Sequence, residues 1–491
     1  MNVKTDSQTS ASKLTSRSFP ANPFAEWFGI DASIASRVLA ELTAHGADAA
    51  ELFFQHRRDN AIVFEDGIIS RAHSSIDQGV GLRCVVGDQT GYAFTEELTL
   101  ESMSAAARTA ASIARGEKAV SPVELKVSGR PSYYEIGTPW GEVGVHQKLP
   151  LIQRVAAYAK AEDPAVDKVQ VHWADAEEKV LIADLHGRLI LDDRPMTRLF
   201  VVVTAKKNGE LQSGGANIAG RRGLEWYTDE QLREVAKQAV ERTMVLFEAV
   251  RPPAGDMPVV LAAGASGILL HEAIGHGMEA DFNRKGISIY SDMLNKQVAE
   301  DFVTIVDDGT RMNERGALNV DDEGHVAERT VLVENGKLVN YLHDSISARH
   351  YGVESTGSGR RQSFRYAPMP RMRCTFMENG PHSREEIIAN VERGILAETF
   401  TNGQVQIGAG DYTFYIKNGW LIENGKVTAP IKDCNIIGKG PETLRNITMA
   451  ADDGHLDTGG WTCGKNGQSV PVSQGLLTVL VNNLVVGGEN A

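Results

Sequence analysis

The length, composition and charge of the chain exclude several classes of protein. With 491 residues, of which 42% are hydrophobic and 23% charged, it has the composition of a globular protein and enough length for two domains of about 200–250 residues. Acidic residues outnumber basic ones by 64 to 50, giving a net charge of −14. Because this charge repels phosphate groups, we expect no nucleic-acid partner.

The cysteines and the two ends of the chain indicate the cellular compartment of the protein and whether it associates with a membrane. None of the four cysteines forms a Cys-x-x-Cys pair, which in so long a chain argues against a disulfide framework and favours the cytoplasm. Residues 1–20 lack an apolar run of signal-peptide length, and we expect a disordered tail there. The apolar stretch at 476–486 is shorter than the roughly 20 residues of a membrane helix, so we expect no membrane association.

Helices and strands are mixed in the first half of the sequence. Asp31 is predicted to cap a helix that ends by Gly46. Further helices are predicted at residues 100–115, 151–161 and 229–247. Strands are predicted at residues 61–65, from 68 onward, 80–86, 92–95, 168–173, 179–184 and 197–205. Asp66-Gly67 and Asn208-Gly209 are typical of tight hairpin turns.

The second half is predicted to be mainly β. Residues 251–256, Arg-Pro-Pro-Ala-Gly-Asp, break the preceding helix and mark a domain boundary. Beyond them we expect one helix around 264–280, a shorter one near 383–393, and hairpins turning at Asn335-Gly336 and Asn424-Gly425. The predicted fold class is α+β: a mixed α/β N-terminal domain (residues 21–250) and a mainly β C-terminal domain (residues 251–491) that carries a metal-binding helix.

The helix predicted at 264–280 contains the most informative motif of the chain. Residues 262–277 have only four polar side chains, those of Ser266, His271, Glu272 and His276. Burying two imidazoles and a carboxylate in so apolar a segment is costly unless something pairs them. Two histidines that bind zinc and a glutamate that acts as base are the components of a zinc-protease helix.

The spacing of the two histidines differs from the usual His-Glu-x-x-His pattern. His271 and His276 are five positions apart, which in a regular helix turns their side chains about 140° away from each other. Both can bind one metal only if the helix widens or ends between them, and a π-type turn has the required spacing. Gly275 and Gly277 weaken the helix at the right place, so we expect irregular backbone between Ala273 and Gly277.

Two other interpretations compete with a zinc site. His271 and His276 could be packing histidines of the core, although a pair of them around Glu272 favours metal. The segment 264–267, Gly-Ala-Ser-Gly, could carry a serine nucleophile, but it lacks the Gly-x-Ser-x-Gly pattern of a nucleophile elbow.

The third protein ligand stays open on spacing alone. A hydrolytic zinc site usually has three protein ligands and one position for water. The candidates are Glu279, Asp281, His325, His343, His455 and Cys463. Cys463 lies in a glycine-rich loop near Lys465, which could favour the thiolate, and this places it slightly ahead of Glu279.

The sequence resembles the TldD/PmbA peptidase family, and within it the TldD branch. The segments that carry the resemblance are residues 271–281, 357–363, 367–372 and 463–472. The resemblance implies a Zn²⁺ ion bound by His271, His276 and Cys463, with Glu272 as the general base that activates the metal-bound water. It also implies small or unfolded peptides as substrates, and a dimer formed either by two copies or with a PmbA-type subunit that lacks metal.

Three points stay open at this stage. The β-rich second half suggests that a peptide binds extended, by strand addition. The group that stabilises the oxyanion is not identified, the candidates being His325, His343, His350 and His455. The chain could instead be a non-catalytic partner or scaffold subunit, although its complete motif with Glu272 argues against that, or it could hydrolyse a non-peptide amide.

Overall fold

The computed structural model describes residues 22–116 and 118–488. The tail expected at residues 1–20 therefore lies outside the described residues. Within the described part of the chain, no helix combines the length and the apolar character needed to cross a membrane.

The N-terminal half is one seven-stranded sheet covered by helices. The helices are α1 (Pro23–Phe28), α2 (Ala32–Leu42), α3 (Leu100–Ile113), α4 (Val145–Glu162) and α5 (Asp229–Met244). The strands are β1 (Ala49–Glu65), β2 (Ile68–Val86), β3 (Gln89–Thr95), β4 (Lys126–Val127), β5 (Val166–Asp184), β6 (Arg188–Lys207) and β7 (Glu210–Gly220). The strand order is β3-β2-β1-β5-β6-β4, and β7 also pairs with β6.

Local sequence signals explain most of these elements. Asp31 accepts a hydrogen bond from the backbone N–H of Ile34 at 2.9 Å and so caps α2 as predicted. Asp66 and Gly67 both have positive φ, 49° and 83°, as the tight turn between β1 and β2 requires. The strands predicted at 168–173 and 179–184 are instead one continuous strand, β5. An ion pair stabilises its polar middle, because the buried carboxylate of Asp175 lies 2.6 Å from Lys148 Nζ.

The C-terminal half contains 17 strands and five short helices among the described residues. The strands are β8 (Gly255–Leu261), β9 (Ile305–Asp308), β10 (Arg329–Glu334), β11 (Lys337–Leu338), β12 (Gly359–Arg360), β13 (Met369–Pro370), β14 (Cys374–Met377), β15 (Arg393–Val405), β16 (Asp411–Glu423), β17 (Lys426–Ile431), β18 (Cys434–Lys439), β19 (Ile447–Ala450), β20 (His455–Leu456), β21 (Thr462–Lys465), β22 (Gln468–Pro471), β23 (Ser473–Leu476) and β24 (Val479–Gly487). The helices are α6 (Gly267–Leu269), α7 (Ala280–Asn283), α8 (Ser345–Tyr351), α9 (Arg384–Ala389) and α10 (Gly440–Arg445).

These strands form two main sheets that enclose a shared core. Strands β15, β8, β24, β18 and β16 close into a ring because β16 also pairs with β15, while β17 and β19 extend it. A six-stranded sheet has the order β11-β10-β9-β14-β23-β20, and the pairs β12-β13 and β21-β22 stand apart. The largest hydrophobic cluster of the half lies between these elements and includes Leu270, Ile274 and Cys463, so the predicted metal-binding segment is packed inside the domain.

The fold class is α+β, with a mixed α/β N-terminal part and a mainly β C-terminal part, as predicted. We propose the domain boundary at residues 250/251. No sheet of the described residues contains strands from both sides of it, and the larger hydrophobic clusters each stay on one side. One small cluster, which includes Phe53 and Phe364, joins the two sides.

Candidate metal centre

The helix predicted at 264–280 is irregular where the two histidines lie. Gly267–Leu269 starts it with α-helical geometry, Leu270–Gly275 is a π-helical turn, and His276–Met278 is a 3-10 turn. The backbone N–H of His276 donates to the carbonyl oxygen of His271, a bond between positions i and i+5. The widened turn brings the side chains of the two histidines together, as their spacing required.

Three side chains meet at this turn. The rings of His271 and His276 are 5.0 Å apart between centroids and nearly perpendicular, at 82°. The Sγ of Cys463 lies 3.4 Å from His276 Nε2, and one ligand atom from each of the three residues falls within 4.8 Å of the others. Two donors bound to one tetrahedral zinc ion are about 3.5 Å apart, so the spacing of the three side chains is compatible with binding to a single ion.

The burial of His271 without hydrogen-bond partners is the clearest sign that a metal ion fits this site. Only 2% of this residue is exposed, yet neither ring nitrogen has a hydrogen-bond partner among the described residues. A buried polar group without a hydrogen-bond partner lowers the stability of a folded protein by about 1–3 kcal/mol. Such groups are therefore rare in folded proteins. A metal ion between His271, His276 and Cys463 would give one of the two ring nitrogens a partner.

Glu279 contacts the far side of His276. Its Oε2 is 2.9 Å from His276 Nδ1, and Lys465 Nζ donates to Glu279 Oε2 at 3.0 Å and to Asp281 Oδ1 at 2.7 Å. Burial alone would raise the pKa of Glu279, but Lys465 and His276 lower it to about 2. Glu279 is thus a carboxylate that orients a histidine, and neither it nor Asp281 belongs to the three-residue cluster.

Cys463 reaches the site from a hairpin far along the chain. It lies on β21, which pairs with β22 across a turn where Asn466 and Gly467 have positive φ, and Arg371 donates to the Cys463 carbonyl oxygen at 2.6 Å. Burial raises the pKa of a thiol, but the adjacent His271 and His276 lower that of Cys463 well below its usual value. Lys465, which the sequence suggested for this effect, pairs with the two carboxylates instead.

Glu272 differs from the other groups of the motif in its access to solvent. Its side chain is 23% exposed, and Oε2 lies 3.9 Å from His276 Nε2. It is therefore close to the three-residue cluster without being one of its members. A carboxylate in this position can contact a water molecule or a substrate at the exposed side of the site.

The remaining histidines considered from the sequence lie outside the cluster. His325 contacts Ser345 Oγ through Nε2, and the exposed His455 contacts the carbonyl oxygen of Asp453. His343 is buried beside Tyr351, and burial lowers its pKa to about 4. His350 stacks edge-on against Tyr351. None of these contacts supports a role as metal ligand or oxyanion donor.

Sequence reasoning missed how the surrounding residues support the site. The sequence offers Glu279 as a candidate ligand, but a carboxylate three residues after His276 can also contact the ring of that histidine, as Glu279 does. Arg371 donates hydrogen bonds to the carbonyl oxygens of Cys463 and Gln468 and so supports the hairpin that carries the thiol. The local sequence does not predict this role, because both partners lie more than 90 positions later in the chain.

Three family models match most of the chain. Residues 254–488 match the PmbA/TldA metallopeptidase C-terminal domain, residues 50–114 match domain 1, and residues 138–247 match the central domain.

Curated relatives and solved structures are similar over comparable lengths. A protein of Haemophilus influenzae named "Metalloprotease TldD homolog" is 41% identical, with 90% of this chain and 93% of that protein covered. A "Zinc metalloprotease TldD homolog" of Saccharolobus solfataricus is 26% identical, with 90% and 97% covered. The crystal structure of TldE from Thermococcus kodakarensis has the same fold, with a TM-score of 0.70 at 19% identity, 92% of this chain and 100% of that chain covered. A crystallised protein of Thermotoga maritima gives a TM-score of 0.73 at 22% identity, with 93% and 99% covered.

Proposed function

Because the chain belongs to the TldD/PmbA family of metallopeptidases, we propose that it is a zinc-dependent peptidase. In this proposal His271, His276 and Cys463 hold the zinc ion, and Glu272 is the general base. The substrates are small peptides or unfolded polypeptides.

The observation that carries the proposal is the convergence of three buried donors in which one histidine has no other partner. Two imidazoles and a thiolate are a donor set that suits zinc, and three protein ligands leave one position free for water or substrate. The name of the Saccharolobus solfataricus relative agrees with zinc. A bound zinc ion supplies Lewis acidity, which makes water acidic near neutral pH and polarises a carbonyl group.

The protein residues have separate roles in peptide hydrolysis. Glu272, partly exposed and near His276, accepts a proton from water and passes it to the leaving amine. Glu279 accepts a hydrogen bond from Nδ1 of His276, which keeps Nε2, the atom facing Cys463, free to bind metal. Lys465 neutralises the buried Glu279 and holds it in place.

The proposal also covers the substrate class, the partner subunit and the cellular compartment. Peptide or unfolded polypeptide as substrate agrees with the metalloprotease names of the relatives. A dimer, of two copies or with a PmbA-type subunit, agrees with the fold shared with TldE. The four cysteines are all buried and free of disulfides, which supports a reducing cytoplasmic setting.

Peptide cleavage by the purified chain tests the proposal. A mixture of unstructured peptides should be cleaved by the zinc-loaded chain, and a zinc chelator should stop the cleavage. Glu272→Gln should keep its zinc and lose activity by about 10²- to 10⁴-fold, the usual effect of removing a general base. Glu385→Gln, a change of the same kind at an exposed position of α9, is the control and should stay active. A zinc-loaded chain that cleaves no peptide would favour the non-catalytic partner role instead.

A further inference from the structure

A group of arginines lines a small cavity between the two halves of the chain. The cavity has a volume of about 40 Å³. Its arginines are Arg57, Arg194, Arg221, Arg360 and Arg361. The lining also contains two carboxylates, Glu178 and Asp322, so arginines outnumber acids in it. Carboxylates behind the lining pair with Arg57, Arg194 and Arg361.

Most of the arginines already have partners inside the protein. Arg194 pairs with Asp322 at 2.6 Å, and Arg361 pairs with Glu51 at 2.9 Å. Arg360 makes no ion pair within the described part of the chain but donates to two backbone carbonyl oxygens at 2.6 and 2.7 Å. Arg57 pairs with Asp59 at 2.7 Å. These contacts account for four of the five guanidinium groups.

Arg221 is the exception. It is only 3% exposed. Among the described residues its Nε has no partner, and its side chain makes one hydrogen bond, a long one of 3.4 Å to the carbonyl oxygen of Pro195. The guanidinium stacks 4.8 Å above the ring of Tyr134, and no described carboxylate forms an ion pair with it. A buried cation without a counter-ion is strongly unfavourable, so an anion in the cavity would stabilise this arrangement.

The surroundings add to the positive field. Arg315 donates to the carbonyl oxygen of Trp461 at 2.9 Å. Burial and the nearby charges of Arg198 and Arg221 lower the pKa of Arg315 to about 9. Glu178 and Asp192 offset part of the charge of Arg221, but neither forms an ion pair with it, and burial still lowers the pKa of Arg221 below its usual value.

The cavity adjoins the hairpin that carries the proposed metal ligand. Pro471 lines the cavity and pairs across the hairpin with Thr462, the residue before Cys463. On the same measure one water needs about 10–15 Å³, so a cavity of about 40 Å³ has room for about three heavy atoms, the size of a carboxylate group. A planar carboxylate is also the anion that a guanidinium binds most specifically.

We propose that this cavity is a subsite for a carboxylate of the peptide substrate and that Arg221 determines its preference. The inference rests on the proposed peptidase function. The carboxylate belongs either to the C-terminus of the peptide or to an acidic side chain, since both present the same group to the arginine.

Binding of matched peptides to the zinc-loaded Glu272→Gln chain tests the subsite. One pair differs only in a free or amidated C-terminus, and a second, amidated pair differs only in glutamate or glutamine. We expect the acidic member of one pair to bind about tenfold more tightly, as expected for a charged hydrogen bond, and the pair that shows this identifies the source of the carboxylate. Mass spectrometry after incubation checks separately whether the peptides stay intact, which tests the role of Glu272 and not the subsite.

Arg221→Met in the same chain should abolish the preference. Its melting temperature should not fall, because the change removes a buried cation that is only partly compensated. Arg233→Met is the matched control, since Arg233 also stacks on a tyrosine, Tyr158, but is exposed and pairs with Asp229; it should keep the preference. If Arg221→Met does not fold, acetate at constant ionic strength should still compete with the acidic peptide in the parent chain. Equal binding within both pairs, a preference that survives Arg221→Met, or no competition by acetate would overturn the proposal.

Discussion

Glu279 and Cys463 contact the two different nitrogens of the same imidazole. Glu279 is 2.9 Å from Nδ1 of His276, and Cys463 Sγ is 3.4 Å from Nε2. Since a histidine binds metal through one nitrogen and donates through the other, the geometry favours Cys463 as third ligand and Glu279 as the group that orients His276.

Zinc content after desalting separates these two roles. Cys463→Ala removes a ligand and should lower both the zinc content and the activity strongly. Glu279→Ala removes only an orienting contact, so it should weaken zinc binding about 10- to 100-fold and retain zinc at saturating concentration. Cys434→Ala, another buried free cysteine, is the control and should bind zinc normally. Full zinc in Cys463→Ala together with loss in Glu279→Ala would reverse the assignment.

The motif residues differ in how readily the sequence identified them. His271, Glu272 and His276 lie within six positions, so an apolar segment with three polar groups was enough to single them out. Cys463 is 187 positions from His276. Its local sequence places it only slightly ahead of Glu279, and the family resemblance selects it, because spacing along a chain does not encode contacts that distant.

The π-helical turn is the element on which the site depends. The i, i+5 spacing of the histidines was incompatible with a regular helix around a single metal, and the structure has a π turn at Leu270–Gly275. Gly440 at the start of α10 packs directly against this turn. A Cβ at Gly440 would lie 2.0 Å from the carbonyl oxygen of Ala273, and this close approach explains why glycine occupies the position.

Gly440→Ala should therefore displace the turn and separate the metal ligands. We expect a lower zinc content and a loss of stability of about 1–3 kcal/mol, the usual cost of overpacking. Gly464→Ala, next to Cys463, is the control: a Cβ there meets nothing within 4 Å. Zinc titration and thermal unfolding of both variants measure the effect. Normal zinc affinity in Gly440→Ala would show that the turn does not need this packing.

Element boundaries show where sequence reasoning succeeds and fails. Capping and turn residues act locally, which is why α2 and the hairpins at Asp66, Asn335 and Asn424 were predicted. The single long strand β5 was divided in two because its polar middle resembles a turn, although Lys148 from α4 stabilises it. Helices α8 and α10, with seven and six residues, are too short for a clear periodic pattern.

At the scale of the whole molecule, the proposed metal connects distant parts of the C-terminal half. His271 and His276 lie just after the first strand of that half, and Cys463 lies near its end, so a shared ion clamps the beginning of the domain to its end. The class of the fold was predictable from composition and turn signals. The closure of β15 onto β16, and the parallel pairing of β8 with β15, were not, because strand partners distant in sequence leave no local signal.

Metal removal should consequently lower the stability of the folded chain. A ligand present at 1,000 times its Kd stabilises a protein by about 4 kcal/mol, which for a domain of this size corresponds to roughly 10 °C in melting temperature. A chelator should therefore lower the Tm of the zinc-loaded chain by about that amount. In Cys463→Ala the chelator should have little effect, because the clamp is already lost. Equal shifts in both chains, or none in either, would contradict a clamp formed through Cys463.

X-ray absorption at the zinc edge of the purified, zinc-loaded chain tests the central claim most directly. The account predicts one sulfur neighbour at about 2.3 Å and two imidazole nitrogens at about 2.0–2.1 Å, and it predicts that the sulfur contribution disappears in Cys463→Ala. A first shell without sulfur, or a sulfur contribution that persists in Cys463→Ala, would contradict a zinc site formed by His271, His276 and Cys463.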